Sequence, residues 1–469
     1  MTFVGYAAVL GYIFLLIFGM GPLVGKISNL ETSRKAIHIM LFVVWILLDV
    51  FFKDTIHQIV IPVIFIILNL LSYRFNIYKS VERDEGNHLG TVYFALVVTA
   101  IMTFVYFVPR YYYCSGIAIF CLTFGDGFAA LVGYNMRSRA IRPGKSLAGF
   151  LACWVASAAS VMIFGLIYPM DLSIMQVIAI GALSAILELC ELGLDNFTVS
   201  LGTFFLCMGF MDGDTERVLI GALLAAAVFL PVFLSKSIDY YGSLFAMGMV
   251  FSFFYFGAIT AVAILLCAYG TIALIAAIKK RGLPGKKNPG RNILQILING
   301  GLGTAAMLAY RITGHMGLWI VSIVAIGGCF VDSVSSDIGV LSGKPPYDPL
   351  LRKTVPAGIS GGVTWLGSLT ALAAAALIAA AVTVHCSLPP TDILILTGLM
   401  FGQSVLDTIL GSRVQVKYTC AECGCLTEKK IHCNTETVYH NGLKSVDNNM
   451  VNLLSSAVIT AAAAVVYWR

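Results

Sequence analysis

Long apolar runs without charged residues recur from one end of this 469-residue chain to the other. A run of roughly 17 or more apolar residues can cross the ~30 Å hydrocarbon core of a bilayer as a helix. Helices are expected because a backbone in lipid must satisfy its own hydrogen bonds. With 59% hydrophobic and 12% charged residues, the chain is too apolar for a soluble globular protein. The sequence predicts an all-α, polytopic membrane helical bundle of about sixteen spans.

Lysine and arginine residues concentrate in alternate loops between these runs. If the N-terminus of the first run lies outside, the basic loops all fall on the cytoplasmic side, from the one around Lys35 to the one around Lys353. We therefore expect a multi-pass integral membrane protein with its active sites on the cytoplasmic face, in the plasma membrane if the source is prokaryotic. The lipid bilayer is its expected partner. A net charge of only +6 gives no reason to expect binding to nucleic acid.

A short polar pattern occurs twice among the apolar runs. In each copy an acidic residue stands at the edge of an apolar run, a glycine follows seven positions later, and a lysine beside a hydroxyl residue comes next. The copies are Asp126 to Gly133 with Lys145-Ser146, and Asp332 to Gly339 with Lys353-Thr354. Such groups build metal and phosphate sites, and burying them in hydrocarbon is costly. The recurrence predicts a tandem duplication, with membrane domains at residues 1–236 and 237–469.

A helix start before the first copy offers basic groups to an anionic ligand. Arg34 and His38 lie four positions apart and therefore share one helical face. Arg34 can hold phosphate oxygens in a fork, and Lys35 adds a point charge. Asp126 has no charged neighbour within ten positions on either side. We expect Asp126 to bind Mg²⁺, which proteins usually hold with one or two carboxylates and nucleotide phosphates.

Further polar residues of the first half follow in the order that a phosphoryl-transfer site needs. Lys145 and Ser146 stand just before a predicted helix, whose N-terminus favours phosphate. Glu188 lies on a later helix, and Asp195-Asn196 follow at the end of that helix. One of these carboxylates is expected to be a second metal ligand and another to accept a hydroxyl proton. The pattern leaves open which does which.

Taken in order, these segments resemble the dolichol kinase and phytol kinase family. The resemblance covers roughly residues 30 to 200. It rests on Glu-x-x-Arg-Lys-x-x-His from Glu31, Gly-Asp-Gly-x-Ala-Ala-x-x-Gly from Gly125, Gly-Lys-Ser-x-x-Gly from Gly144 and Gly-Leu-Asp-Asn from Gly193. Members of that family are integral membrane enzymes that phosphorylate a polyisoprenoid alcohol, typically with CTP. The resemblance implies that Asp126, Lys145 and Asp195 belong to the nucleotide and Mg²⁺ site.

The second half repeats this order of events with different residues. Its helix start carries Arg291 and Gln295, again four apart. Asp332 and Asp337 are five apart, so a straight helix would not place them on one face. A glycine-kinked or unwound helix end would bring both carboxylates to one Mg²⁺ ion, and Asp407 would complete the acidic set.

The second half is similar to the membrane family that includes phytyl-phosphate kinase and the transmembrane protein 19 group, over roughly residues 240 to 469. The similarity rests on Gly290-Arg-Asn-x-x-Gln-x-x-x-Asn299, Val331-Asp-Ser-x-x-Ser-Asp337, Lys353-Thr-Val-x-x-Gly358, Asp407-x-x-x-Gly411 and Val451-Asn452. It implies phosphorylation of an isoprenyl monophosphate to the diphosphate. The residues expected to bind phosphate or nucleotide are Arg291, Gln295, Asn299, Lys353, Thr354, Asn448 and Asn452.

A polar insertion at residues 412–450 contains four cysteines within fourteen residues, namely Cys420, Cys423, Cys425 and Cys433. This density is typical of structural Zn²⁺ sites. Because the spacing is irregular, reduced and unligated thiols in a loop are the alternative interpretation.

Together these features predict a bifunctional membrane isoprenoid kinase. Its first half would convert a polyprenyl or phytyl-type alcohol to the monophosphate, and its second half would convert that isoprenyl monophosphate to the diphosphate. CTP is the expected co-substrate and Mg²⁺ the expected cofactor of in-line phosphoryl transfer. Three alternatives stay open: a CTP-dependent cytidylyltransferase that makes a CDP-lipid, a duplicated membrane transporter, and a binding module in which one half has lost activity.

Overall fold

The computed structural model describes residues 2–20, 23–24, 30–75, 90–142, 144–190, 195–235, 238–282, 291–356 and 358–468. These residues are predominantly helical, which confirms the all-α class. The chain divides into two compact units, Met1–Val218 and Leu219–Arg469, whereas the sequence placed a domain boundary at 236/237. The tandem duplication stays a prediction.

In its described residues, the first unit is built mainly from α-helices, with two π-helical segments, one of which, Leu15–Met20, directly follows the first helix. Its helices are α1 (Thr2–Phe14), α2 (Leu30–Met40), α3 (Phe42–Phe51), α4 (Thr55–Phe75), α5 (Gly90–Phe107), α6 (Tyr112–Phe120), α7 (Gly127–Asn135), α8 (Leu147–Ile167), α9 (Ile174–Cys190) and α10 (Asp195–Met211). Between α6 and α7 the segment Cys121–Asp126 is π-helical. A hairpin of β1 (Ala140–Arg142) and β2 (Lys145–Ser146) precedes α8.

Small residues allow α7 and α8 to lie close together. A Cβ atom on Gly149 would stand 2.8 Å from the carbonyl oxygen of Ala129, which is closer than real Cβ atoms come to a neighbour. Gly133 faces the same contact, where its added Cβ would meet the Ser146 hydroxyl at 3.2 Å. The glycines of the first polar pattern therefore serve helix packing, and this packing fixes Lys145 beside α9.

The second unit has a central helix surrounded by others. The division between the units falls within α11 (Thr215–Ser235), and the following helices are α12 (Tyr240–Gly282), α13 (Ile293–Thr313), α14 (Met316–Gly339), α15 (Trp365–His385), α16 (Asp392–Arg413) and α17 (Asn448–Tyr467). Most of α14 is buried, because α12, α13, α15, α16 and α17 all pack against it.

Six short strands complete the second unit. The pair β3 (Tyr347–Asp348) and β4 (Lys353–Thr354) follows α14. An antiparallel sheet between α16 and α17 consists of β5 (Lys417–Cys420), β6 (Leu426–Thr427), β7 (Ile431–His432) and β8 (Thr435–Asn441), in the spatial order β6-β5-β8-β7. The polar insertion is therefore an ordered sheet rather than a simple loop.

The apolar run at residues 240–277 is long enough for two spans, and the sequence favours a division near Gly257. This division is wrong, since α12 continues unbroken for 43 residues. A single glycine costs a helix only about 1 kcal/mol relative to alanine. The absence of a side chain at Gly257 leaves its backbone accessible to α14, and the Gly257 carbonyl accepts a hydrogen bond from Trp319 Nε1 at 2.9 Å. A Cβ on Gly257 would also come within 2.7 Å of the Met307 side chain.

Ten helices in the described ranges are long and apolar enough to cross a membrane: Thr2–Met20, Thr55–Ser72, Gly90–Phe107, Pro109–Asn135, Leu147–Ile167, Ile293–Thr313, Met316–Ser342, Trp365–His385, Asp392–Arg413 and Asn448–Tyr467. Shorter apolar stretches accompany them at Ile174–Leu189, at Asn196–Met211 and, within the long helix α12, at Ile259–Thr271. The polytopic membrane architecture is confirmed, although the predicted count of about sixteen spans exceeds the ten helices of this length.

Candidate functional site

In the first unit, charged side chains from α2 meet the carboxylate of Asp126. Lys35 Nζ donates to Asp126 Oδ2 at 2.6 Å, and His38 Nε2 lies 3.3 Å from the same oxygen. His38 Nε2 also lies 3.4 Å from the carbonyl oxygen of Leu122, which belongs to the π-helical segment. Asp126 is only 4% exposed, so the pairing with Lys35 compensates the burial of its charge. A π-helical turn beside such a cluster is frequent at functional sites.

This cluster forms one wall of a cavity of about 250 Å³. The polar lining includes Arg34, Lys35, His38 and Asp126. The rest of the lining is largely apolar and comes from α1 to α5 and from the segment Leu15–Met20 that follows α1. It includes Leu16, Trp45, Leu48, Ile61, Phe65, Phe94 and Val98. A cavity with one charged wall and an apolar body fits a ligand with a polar head and a hydrocarbon tail.

Two asparagines hold the start of α5 at the polar side of this cavity. Asn69 Nδ2 donates to the carbonyl oxygen of Thr91 at 3.2 Å, and Asn196 Nδ2 donates to that of Gly90 at 2.9 Å. Both asparagines also line the cavity. The sequence marked Asn196 but missed Asn69, because a single amide on a helix near a membrane carries no pattern.

A second ion pair lies near the first. Lys145 Nζ binds Glu188 Oε1, and Lys145 is close enough to Asp126 to act on its charge. Both side chains were expected in the site, but not as partners. The predicted phosphate role of Ser146 stays a prediction. Here the Ser146 hydroxyl caps α8 by accepting a hydrogen bond from the Gly149 backbone at 3.2 Å.

Asp195 begins α10, and its side chain lies outside the described residues, as does that of Glu31. The predicted metal and catalytic role of Asp195 therefore stays a prediction. The same holds for Asp126 as a Mg²⁺ ligand, which would have to share its carboxylate with Lys35.

In the second unit, two carboxylates approach each other between α14 and α16. Asp332 Oδ1 accepts a hydrogen bond from Ser404 Oγ at 3.0 Å, and Asp407 lies near enough to Asp332 to be repelled by its charge. Asp407 Oδ2 is buried without a hydrogen-bond partner in the described part of the chain. Neither aspartate takes part in an ion pair among the described residues. A half-buried acidic pair with one buried, unsatisfied oxygen is suited to a divalent cation.

Two glycines of α14 allow this approach. A Cβ on Gly327 would stand 2.6 Å from Met400 Sδ, and one on Gly328 would collide with the Gln403 side chain of α16. Gln403 Nε2 in turn donates to Cys329 Sγ at 3.1 Å. The close contact places Ser404 and Asp407, which lie three positions apart on α16, opposite Asp332.

The expected kink or unwound end between Asp332 and Asp337 is wrong, since α14 is a continuous α-helix up to Gly339. Five positions turn a helix by about 140° beyond one full turn. Asp337 is half-buried on this helix, and its participation in the acidic pair of Asp332 and Asp407 stays a prediction.

A glycine-containing loop packs onto the C-terminal end of α16. A Cβ on Gly411 would stand 3.0 Å from the Gly361 backbone nitrogen, and one on Gly361 only 2.6 Å from Ser412 Cα. The Ser360 backbone nitrogen donates to Glu428 Oε1 at 2.6 Å. Glu428 also acts electrostatically on Asp407. The sequence pattern included Gly411 but missed Glu428, which lies in the polar insertion.

Replacing Gly361 by alanine is expected to destabilise the second unit more than the same change at Gly358. Both glycines have positive φ, +92° and +89°, so each substitution carries a backbone strain of about 1–2 kcal/mol. Only the Cβ at position 361 also meets backbone atoms of Ser412, whereas that at 358 has nothing within 4 Å. Thermal unfolding of the purified variants in detergent measures the difference. Equal losses in both variants would contradict the close contact.

Asp348 anchors the other side of this loop. Its carboxylate accepts hydrogen bonds from Ser412 Oγ at 2.7 Å and from the backbone nitrogens of Leu350 and Leu351, both at 2.9 Å. Burial raises the pKa of Asp348, but these hydrogen bonds outweigh it and leave the pKa below its ordinary value. The contribution of Asp348 to stability is therefore present at neutral pH and is lost as the pH falls through this lowered pKa.

The remaining predicted phosphate-binding residues of the second unit have other contacts. Gln295 forms a capping box with Asn292 at the start of α13, and the Arg291 carbonyl accepts a hydrogen bond from the Asp239 nitrogen at 2.8 Å. Lys353 and Thr354 are exposed on β4. Asn299 is half-buried on α13. Asn448 and Asn452 lie in the first turns of α17, where Asn448 Oδ1 is 3.5 Å from Ser360 Oγ.

Comparison with known proteins places this unit in a family. A family model described as "Integral membrane protein DUF92" matches residues 223–460, which is more than half of the chain. The chain belongs to the DUF92 family. Protein PGR of Arabidopsis thaliana is 30% identical over 211 residues, covering 38% of this chain and 71% of that protein. No solved structure matches the chain.

The DUF92 match spans the acidic pair and the sheet of the second unit and leaves the cavity of the first unit outside. The similarity of the first unit to dolichol and phytol kinases, and the finer similarity of the DUF92 region to phytyl-phosphate kinases, stay predictions.

The DUF92 region also contains the cysteine-rich segment. The structure brings together Cys420, Cys423, His432 and Cys433, whose possible ligand atoms all lie within 4.8 Å of one another. Cys425, which the sequence placed in this set, is not among them, and His432 stands in its place. A backbone hydrogen bond from Cys423 and a side-chain hydrogen bond from His432 lower the pKa of the Cys420 thiol to about 6.

Proposed function

We propose that the protein is a two-step membrane lipid kinase. The first unit phosphorylates an isoprenoid alcohol to its monophosphate, and the second unit phosphorylates that monophosphate to the diphosphate. Support comes mainly from one observation, the cavity of the first unit, which joins a charged wall to an apolar body. Such a shape accommodates an alcohol group at the charged wall while the hydrocarbon chain lies among apolar side chains.

The chemistry of the first step is in-line transfer of a γ-phosphoryl group. The alcohol oxygen forms a bond to the γ-phosphorus as the bond from that phosphorus to the β-phosphate oxygen breaks, releasing a nucleoside diphosphate. Lys35 and His38 stabilise the negative charge of the transferring group. Asp126, the acidic residue of the cavity lining, positions both cations and accepts the hydroxyl proton. The proposed donor is CTP, by resemblance to the dolichol kinase family.

In the second unit, Asp332 and Asp407 would hold Mg²⁺, and the unsatisfied Asp407 Oδ2 fits a metal ligand. When bound, Mg²⁺ neutralises charge on the donor and acceptor phosphates. Ser404 orients the Asp332 carboxylate through its hydrogen bond. The nucleophile of this step is already an anion, so no general base is needed.

The test supplies purified full-length protein with phytol or geranylgeraniol, or with their monophosphates, together with Mg²⁺ and each nucleoside triphosphate in turn. Mass spectrometry of the lipids and analysis of the released nucleotide identify the products. We expect the monophosphate from the alcohol, the diphosphate from the monophosphate, and a nucleoside diphosphate in both cases. Release of pyrophosphate with a CDP-lipid would indicate cytidylyl transfer instead. No lipid product with any donor would overturn the proposal.

A further inference from the structure

The sheet of the second unit carries four potential metal ligands on two neighbouring turns. The first turn begins at Cys420, the last residue of β5, and contains Cys423. The second begins at His432, the last residue of β7, and contains Cys433. Both turns contain a residue in the left-handed region of the backbone, since Cys433 and Gly424 have positive φ values of 50° and 68°. The outer strands β6 and β7 lie on opposite sides of the central pair β5 and β8. Because β5 and β8 are neighbours in the sheet, the turn after β5 and the turn before β8 lie close together.

The distances among the ligand atoms suit a single tetrahedral ion. His432 Nδ1 lies 3.5 Å from Cys423 Sγ and 3.3 Å from Cys433 Sγ. Zinc bonds of about 2.3 Å to sulfur and 2.0 Å to nitrogen place such ligand atoms ~3.5 Å apart at tetrahedral angles. All four cysteines of the segment are free thiols, so no disulfide competes for the sulfur atoms.

The chemistry of the donor set points the same way. Three sulfur ligands and one imidazole are a common set for structural zinc, whereas Mg²⁺ and Ca²⁺ take oxygen ligands. A structural site uses four protein ligands and leaves no open position. Three of the four ligands are not deeply buried, since only Cys420 is buried and Cys423 and Cys433 are exposed. The ion can therefore enter from solvent after the sheet has formed.

From this geometry we propose that Cys420, Cys423, His432 and Cys433 bind one Zn²⁺ ion that holds the two turns together. In the second unit, the bound ion would also hold Glu428 in position. Only Gly424 and Cys425 separate Cys423 from strand β6, which leads directly to Glu428. Glu428 accepts the hydrogen bond from the Ser360 backbone. Zinc fixes β5 and β6 at one end, and this keeps Glu428 against the glycine-containing loop beside α16.

The first experiment measures metal in full-length protein purified in detergent without chelators. Elemental analysis is expected to give about one zinc per chain for the wild type and less than about a tenth of this for Cys423→Ser, since one missing ligand opens a structural site. Cys425→Ser is the matched control, because Cys425 belongs to the same turn but not to the ligand group. We expect it to retain zinc. Absence of zinc from the wild type, or equal zinc loss in both variants, would overturn the proposed ligand set.

Cobalt provides a readout that does not depend on how well a variant folds. Wild-type protein stripped of zinc and loaded with Co²⁺ should show the intense d–d bands of tetrahedral Co²⁺ together with sulfur-to-cobalt charge transfer. Weak bands typical of octahedral Co²⁺ would contradict the site. Hydrogen exchange then tests the mechanical consequence. Chelation should raise exchange in β5, β6 and residues 358–364 while leaving the middle of α14 unchanged, and unchanged exchange around Ser360 would contradict the link to Glu428.

Discussion

Replacing Asp126 by asparagine is expected to lower phosphorylation of the alcohol by about 100- to 10,000-fold, the usual contribution of a positioned acid–base group. Asparagine preserves the shape of the side chain but removes the charge that holds Lys35 at 2.6 Å and His38 at 3.3 Å. It also removes the acceptor for the hydroxyl proton. Phosphorylation of the monophosphate should stay within about twofold of wild type, because this step is assigned to the second unit.

The rate with the second substrate serves as an internal control for this measurement. Initial rates with phytol and with phytyl monophosphate are compared in the same protein preparation, so a misfolded variant would lose both. Asp212→Asn is a matched control in the first unit. Asp212 pairs with Arg110 at 3.2 Å and accepts a hydrogen bond from Tyr111, but it is not part of the cavity lining. Full alcohol phosphorylation by Asp126→Asn, or equal loss of both steps, would contradict the assignment.

The sequence predicted the membrane class because that class depends on composition, and it named candidate site residues from local order. It could not predict which side chains pair. Lys145 and Glu188 are 43 positions apart, and they meet only because small residues draw α7, α8 and α9 together. Asp332 and Asp407 likewise meet across two helices whose spacing is set by Gly327 and Gly328.

The zinc ligands show a similar limit. Counting cysteines favoured Cys425, which is two positions from Cys423. Strand pairing decides otherwise. Strand β8 aligns Thr435 with His432 of β7 and Thr437 with Cys420 of β5, so the turn that holds His432 and Cys433 lies near Cys420. Register in a short sheet depends on hydrogen bonds between distant residues, and a single sequence does not display them.

Some polar residues stabilise the start of a helix. Ser146, Gln295 and Asp447 each accept or exchange hydrogen bonds with free backbone groups at a helix start. Polar residues before a helix serve both as caps and as phosphate ligands, since both tasks use the same unsatisfied N–H groups. Only the contacts of the side chain distinguish the two.

Replacing Asp332 or Asp407 by asparagine is expected to lower phosphorylation of the isoprenyl monophosphate by about 100-fold or more, the scale seen when a preorganised electrostatic group is removed. The alcohol step should continue, so the monophosphate accumulates when phytol is the substrate. Asp392→Asn provides the control on the same helix, because Asp392 lies at the opposite end of α16. Lipid products are separated and quantified over time, at several Mg²⁺ concentrations.

The thermal stability of the variants shows whether Asp332 and Asp407 bind a metal ion or only support helix packing. Two half-buried carboxylates that repel each other and make no ion pair in the described residues destabilise the metal-free protein. Neutralising either one should therefore raise the thermal stability measured in a chelator, while activity falls. The wild type should gain stability from added Mg²⁺, and Asp407→Asn should gain less, since ligand binding stabilises only the state that binds. A variant that loses both activity and stability would instead indicate that Asp332 and Asp407 support the packing of α14 against α16, and the second phosphorylation site would have to lie elsewhere.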